Sequence, residues 1–295
     1  MTALASRPAR TAGTGTGRGV TPVIARAGVA VLAAAAAAFV YYVCVRTAPG
    51  QSADTLVMRG AEVHHERIEQ LLRRALDATT LVSLVAVCLA AAAIGMVRRR
   101  ADLAVAAAVL VLGANVTTQL LKTRLDRPDL DGFPAPNSFP SGHTTAAAAV
   151  AFALVLVLPF AVRGTVALAG AGYVTTIAVA TVWAEWHRPS DTVAALLIVL
   201  AWGALASALV RARRTGVAGA TTRPNRTATV LFAVVGALGA AGALLGLGAV
   251  LVARWAAPDL VPGSLAFAAG VAAITAAVAG VFAIWIRLAA GDRRG

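Results

Sequence analysis

The chain has 295 residues, 59% hydrophobic and 13% charged, with a mean hydropathy of +0.78. A soluble protein of this size cannot hide so much apolar surface, so most of it must face lipid or other buried helices. The net charge of +13 does not point to nucleic acid, because the arginines fall in short clusters between apolar runs. No basic face interleaved with aromatic residues appears, and membrane topology accounts for the charge.

Residues 1–22 are rich in Ala, Thr, Gly, Pro and Arg without periodicity and read as a disordered basic tail. Apolar runs of membrane-spanning length follow near 27–45, 78–97, 102–121, 144–162, 165–185, 191–210, 228–253 and 264–287. The first, preceded by a long polar segment, reads as an uncleaved anchor. The expectation is an all-α polytopic membrane protein with a six-helix core over 23–210. A basic cytoplasmic loop, 211–227, then leads to two additional transmembrane helices and a short tail, 228–295. Between the first two runs, Val63, Ile68, Leu71, Leu72 and Leu76 make one apolar stripe on a helix. That pattern fits a helix lying in the interface, either for packing or for gating substrate access. Cys44 and Cys88 each sit inside an apolar run and read as buried free thiols. Gly242 and Gly246 form a Gly-xxx-Gly pair that reads as close helix packing.

Arginine placement sets an expected orientation. Arg7, Arg10, Arg18 and Arg26 precede the first run, and Arg98, Arg99 and Arg100 follow the second. Arg163 follows the fourth, Arg211, Arg213, Arg214, Arg223 and Arg226 the sixth, and Arg287, Arg293 and Arg294 close the chain. With eight spans all of these share one side, which the positive-inside rule makes cytoplasmic. Both termini are then cytoplasmic, and the loops around 122–143 and 186–191 lie outside.

Those two loops hold the chemistry. Two of the four histidines and the only lysine, Lys122, lie there. Phosphoryl transfer needs positive charge on the equatorial oxygens, an in-line nucleophile and a proton for the leaving group. Lys122 and Arg127 supply a point charge and a fork for phosphate oxygens. Ser141 and Gly142 precede an apolar run whose helix N-terminus turns free amides toward an anion. His187 and Asp191 are four residues apart, and Pro189 suits a first helical turn, so the pair can share one face. The carboxylate would fix the imidazole tautomer, leaving His143 to protonate a leaving oxygen. Each residue singly also has a structural reading: Lys122, Arg124 and Arg127 as snorkelling anchors, His143 at a helix cap, His187–Asp191 as a structural pair. Jointly they converge on one membrane face in the order the chemistry requires.

Asn137-Ser138-Phe139-Pro140-Ser141-Gly142-His143, Trp186-His187-Arg188-Pro189-Ser190-Asp191 and the upstream Lys122 and Arg127 resemble the three-part phosphate site of the type 2 phosphatidic acid phosphatase (PAP2) superfamily. The resemblance implies that His187 attacks phosphorus and forms a phosphohistidine, Asp191 orients it and His143 is the general acid. It further implies that Lys122, Arg127, Ser141 and Gly142 hold the phosphate, without metal or other cofactor. Two departures stand out. Lys122 precedes Arg127-Pro128 by five residues, where the family usually has seven. Thr181 stands where an arginine usually precedes the motif histidine by six, so one clamping cation is missing. Arg188 and Arg124 are the candidate substitutes. The expected substrate is a lipid phosphate or diphosphate, polyprenyl diphosphate or phosphatidic-acid-like, at the outer face of a bacterial plasma membrane, with membrane lipids and no nucleic acid as partners. Two other readings stay open: a phosphoryl transferase of the same superfamily, and a non-catalytic binding or transport protein.

Overall fold

A computed structural model describes residues 17–61, 70, 74, 81–213, 225–256 and 263–290. Helix α1 runs Gly17–Val40 and continues as a single π-helical turn, Tyr41–Val45. There follow α2 (Ala48–Arg59), α3 (Leu81–Val97), α4 (Ala101–Arg124), α5 (Gly142–Val157), α6 (Phe160–Trp183), α7 (Pro189–Ala212), α8 (Arg226–Ala256) and α9 (Gly263–Ala290). Among the described residues six stretches are long and apolar enough to cross a membrane: Val23–Val45, Ala101–Arg124, Phe160–Trp183, Pro189–Ala212, Arg226–Ala253 and Gly263–Ala290. The chain is therefore a polytopic all-α membrane protein.

Each of the eight expected runs holds a helix with shifted ends. Two of them, Leu81–Val97 (17 residues) and Gly142–Val157 (16 residues), fall short of the length of the other six. Two further differences have physical causes. The tail expected over 1–22 gives way to helix already at Gly17, because an established helix propagates past its apolar run at little cost. The fourth expected run, 144–162, breaks at Leu158, the residue before Pro159. Leu158 is extended (ψ 157°), as the proline ring demands of its predecessor. The amphipathic stripe at 63–76 falls outside the described residues apart from Gln70 and Arg74, which are helical. Cys44 is a free thiol, partly buried.

Helix α7 is the hub. It packs against α1, α4, α5 and α9, and 72% of its most apolar window is buried, against 11% for α8 at the periphery. With no hydrophobic drive between helices in lipid, association rests on close packing of small residues. Alanine supplies most of the core, and glycine lets α8 press on α9. A Cβ at Gly246 would stand 2.7 Å from Ala269 Cβ, and one at Gly239 2.9 Å from Ala272 O. The few large side chains interlock with them: Phe152 and Trp285 stack at 4.6 Å with planes 2° apart, and Phe282 meets Phe152 edge-on at 5.1 Å.

At the end of the bundle remote from the motif loops, arginines tie α9 to the core. Arg26 Nε donates to Ser207 Oγ (2.8 Å), and its Nη2 donates to Leu288 O (3.2 Å). Arg163 Nη1 donates to Ala289 O (2.7 Å) and Nη2 to Leu156 O (2.9 Å). Guanidinium groups near a helix C-terminus satisfy its last carbonyls and complement its dipole.

Trp285 bridges α5, α7 and α9, so Trp285→Ala should destabilise the fold by about 3–5 kcal/mol. A thermal melt in detergent should show the midpoint falling well below that of wild type, and an unchanged midpoint would contradict this packing.

Candidate active site

The site forms where the C-terminal end of α4 meets the N-termini of α5 and α7. Asn137 ties the connection together: its Nδ2 donates to Leu125 O (2.8 Å) and Lys122 O (3.2 Å), while its Oδ1 accepts from Phe139 N (3.1 Å). The first satisfies the carbonyl end of α4 as a capping side chain does. Ser141 is the N-cap of α5, its Oγ accepting from Thr144 N at 3.3 Å. Its own N–H donates to Asp191 O at 2.9 Å, which joins the two motif helices at their positive ends.

Asp191 is the centre. It is fully buried and accepts from Arg127 Nη2 (2.7 Å), Ser138 Oγ (2.5 Å) and Arg188 N (3.1 Å). His187 Nδ1 lies 3.4 Å from Asp191 Oδ2, at the long end of hydrogen-bond range. A buried carboxylate persists only with such a set of partners. The turn that delivers His187 is pinned by Thr181, whose carbonyl accepts from Trp186 N (3.0 Å) and His187 N (3.1 Å). The Thr181 hydroxyl turns back to Ala178 O (2.9 Å). Glu185, between them, takes a left-handed φ of 58°, a conformation that costs a non-glycine residue about 1–2 kcal/mol.

His143 stands beside His187, with ring centroids 6.3 Å apart, and 5.6 Å from the Trp186 ring. A Cβ built on Gly142 would come 3.9 Å from Lys122 Nζ and 3.7 Å from Gln119 Nε2. The missing side chain thus leaves a cradle beside the ammonium group. Arg127 is nearly all buried, yet among the described residues its Nε and Nη1 have no hydrogen-bond partner. Buried donors without partners are rare and costly. The sequence-predicted residues Lys122, Arg127, Ser141, Gly142, His143, His187 and Asp191 are therefore brought to one place.

Arg188, expected at the phosphate, is 2% exposed and has other partners. Its Nε donates to Thr55 Oγ1 (3.0 Å), Nη2 lies 4.0 Å from Asp131 Oδ2, and its guanidinium sits 5.9 Å from the Phe133 ring centroid. Arg124 is exposed at the end of α4. Among the described residues no three His, Cys, Asp or Glu side chains gather as metal ligands would.

Sequence reasoning assigned no role to Ser138 or to the face of α2 that carries Gln51, Asp54 and Thr55, all buried. Thr47 caps α2, accepting from Gly50 N, with a proline in the first turn. Such a start signal followed by polar residues at i, i+3 and i+4 is the available clue. Asp54 Oδ1 accepts from Ser190 N at 3.1 Å, and its Oδ2 accepts a short bond from Ser190 Oγ. Burial, reinforced by the nearby Asp191 charge, pushes the Asp54 carboxyl up to about 7, against the pull of the Ser190 hydrogen bonds and Arg127.

A carboxyl held above its unfolded value favours the folded state fully below about pH 4 and loses that advantage as pH rises toward 7. Asp54→Asn cannot ionise. Its melting temperature relative to wild type should therefore climb between about pH 4 and pH 7 and level off above, an effect of roughly 4 kcal/mol at most. Parallel melting curves across that range would refute it.

No curated protein and no solved structure matches this chain. Residues 103–215 match the family model of the PAP2 superfamily. That stretch runs from the first turn of α4 to just past the end of α7 and includes all of the motif residues, and the chain carries a PAP2 superfamily domain.

Proposed function

We propose that this membrane protein of a phosphatase family hydrolyses a lipid phosphate or diphosphate through a phosphohistidine on His187. The observation that carries the reading is Arg127, a buried guanidinium whose Nε and Nη1 have no partner among the described residues, beside the His187–Asp191 pair. A phosphate would satisfy both donors at once.

The chemistry then follows from the geometry. His187 Nδ1 faces Asp191, leaving Nε2 as the nucleophile. Arg127, Lys122 and the amides at the α5 N-terminus would balance the charge on the equatorial oxygens. As Nε2 bonds to phosphorus, the ester oxygen leaves and takes a proton from His143. Water then attacks the phosphohistidine, His143 accepts the proton it needs to lose, and phosphate departs.

Burial also favours Arg188 over Arg124 as stand-in for the cation absent at Thr181, since Arg188 lies within the site's hydrogen-bond network and Arg124 is exposed. The arginines at 98–100, 163, 211, 213, 226 and 287 occupy the helix ends opposite the motif loops. That asymmetry supports an extracytoplasmic site in a plasma membrane, with cytoplasmic termini. The bacterial setting and the choice between polyprenyl diphosphate and phosphatidic-acid-like lipids belong to the same proposal.

Purified protein in detergent should release phosphate from lipid mono- or diphosphates in the presence of EDTA, and His187→Ala should release none. Release by His187→Ala at the wild-type rate would sink the mechanism. Arg188→Ala should lose about 1.5–3 kcal/mol of transition-state binding, roughly ten- to a hundredfold in kcat/KM. Arg124→Ala should stay close to wild type, and the reverse ranking would reassign the cation.

A further inference from the structure

Helix α2 lies outside the matched domain, yet its buried face touches three parts of the site. Gln51 Nε2 donates to Val45 O (2.7 Å) and Pro128 O (2.7 Å), and its Oε1 accepts from Leu130 N (3.1 Å). The loop that carries Arg127 is thereby fastened to the end of α1. Thr55 donates to Asp131 Oδ2 (2.5 Å) and accepts from Arg188 Nε (3.0 Å). Asp54 takes both donors of Ser190. Spacing of three and four residues puts all three side chains on one face of the helix.

The Asp54 contact has a specific meaning for α7. The N-cap of α7 is Arg188, whose side chain makes no capping hydrogen bond. The first N–H groups of a helix need acceptors. Asp54 provides one for Ser190 from a different helix, next to the residue whose carboxylate faces His187. The position of Asp191 is therefore set partly from α2.

On its other side α2 rests on the C-terminal helix pair. Val57 packs with Val250 of α8 and Ala266 of α9. It also fills the space over Gly270, where a Cβ would collide with Val57 Cγ1. Gly60 meets Gly263 O in the same way. Neither α8 nor α9 belongs to the matched stretch.

We propose that α2 is the positioning helix of this site: Asp54 caps α7 in trans and so sets the His187–Asp191 pair, and the C-terminal helices hold α2 in place. The kinetic part of the test rests on the phosphatase reading. In full-length protein in lipid nanodiscs, Asp54→Ala should lower kcat by about tenfold or more at an unchanged KM. Asp54→Asn, which keeps an acceptor for Ser190 N–H, should recover most of it. Gly270→Ala should also lower kcat, and adding Val57→Ala should restore it by removing the clash. Independently of turnover, carbethoxylation of His187 by diethyl pyrocarbonate, read by mass spectrometry, should speed up in Asp54→Ala and not in Asp54→Asn.

Wild-type kcat and wild-type labelling in Asp54→Ala would overturn the proposal, as would Asp54→Asn behaving like the alanine variant. Failure of Val57→Ala to rescue Gly270→Ala would overturn the part assigned to the C-terminal pair. Should Asp54→Ala not fold, the asparagine and Gly270 variants decide. Should wild type release no phosphate from any lipid, the phosphatase reading falls, and the labelling contrast still decides the positioning role.

Discussion

A carboxylate removed from water must be surrounded by donors, and in this protein that requirement organises the whole motif-bearing end of the bundle. Asp191 draws Arg127 from the segment after α4, Ser138 from the connection before α5, and the Arg188 amide and His187 from its own turn. Its backbone carbonyl takes the Ser141 N–H. Losing any one partner would leave charge uncompensated in a low-dielectric setting, at a cost of several kcal/mol for the Arg127 pair. Two helix N-termini, two loops and His187 are thus held in register by a single residue.

The parts legible in the sequence are those where chemistry restricts residue type. Lysine, arginine, histidine and aspartate are conspicuous in a chain this apolar, so Lys122, Arg127, His143, His187 and Asp191 stand out. The apolar runs likewise announce most of the helices to within a few residues, although α1 starts well ahead of its run, at Gly17. Ends set by a single proline are harder, as at Leu158-Pro159, where a run of apolar residues hides a break. What stayed hidden was α2. Gln51, Asp54 and Thr55 are common surface residues, and only their partners 76 or more residues away in Pro128, Asp131, Arg188 and Ser190 give them meaning. Ser138 sits inside a conspicuous motif, yet nothing local shows that its hydroxyl serves Asp191. Arg188 illustrates the converse. Its charge suggested a phosphate contact, and the fold also gives it Thr55 and Asp131.

Composition explains how so much polar organisation fits on so plain a scaffold. Alanine and glycine allow backbones to approach closely, which suits lipid surroundings where packing drives association. Small side chains carry little shape information, so orientation is supplied by a few large or charged groups. Phe152, Trp285 and Phe282 do this in the middle, and Arg26 and Arg163 at one end.

Helix α5, which begins at Gly142, has only 16 residues, or about 24 Å of length. A bilayer's hydrocarbon layer is about 30 Å thick. Most of α5 is enclosed by other helices, so lipid does not enforce its length, and the difference is absorbed within the protein. Its far end is anchored where Arg98 Nη1 donates to Val157 O at 2.5 Å. On the proposed function, a short, enclosed helix would let the motif residues sit at the depth of lipid headgroups instead of above them. An amphiphile could then present its polar end by drifting sideways, with its chains still dissolved among their neighbours.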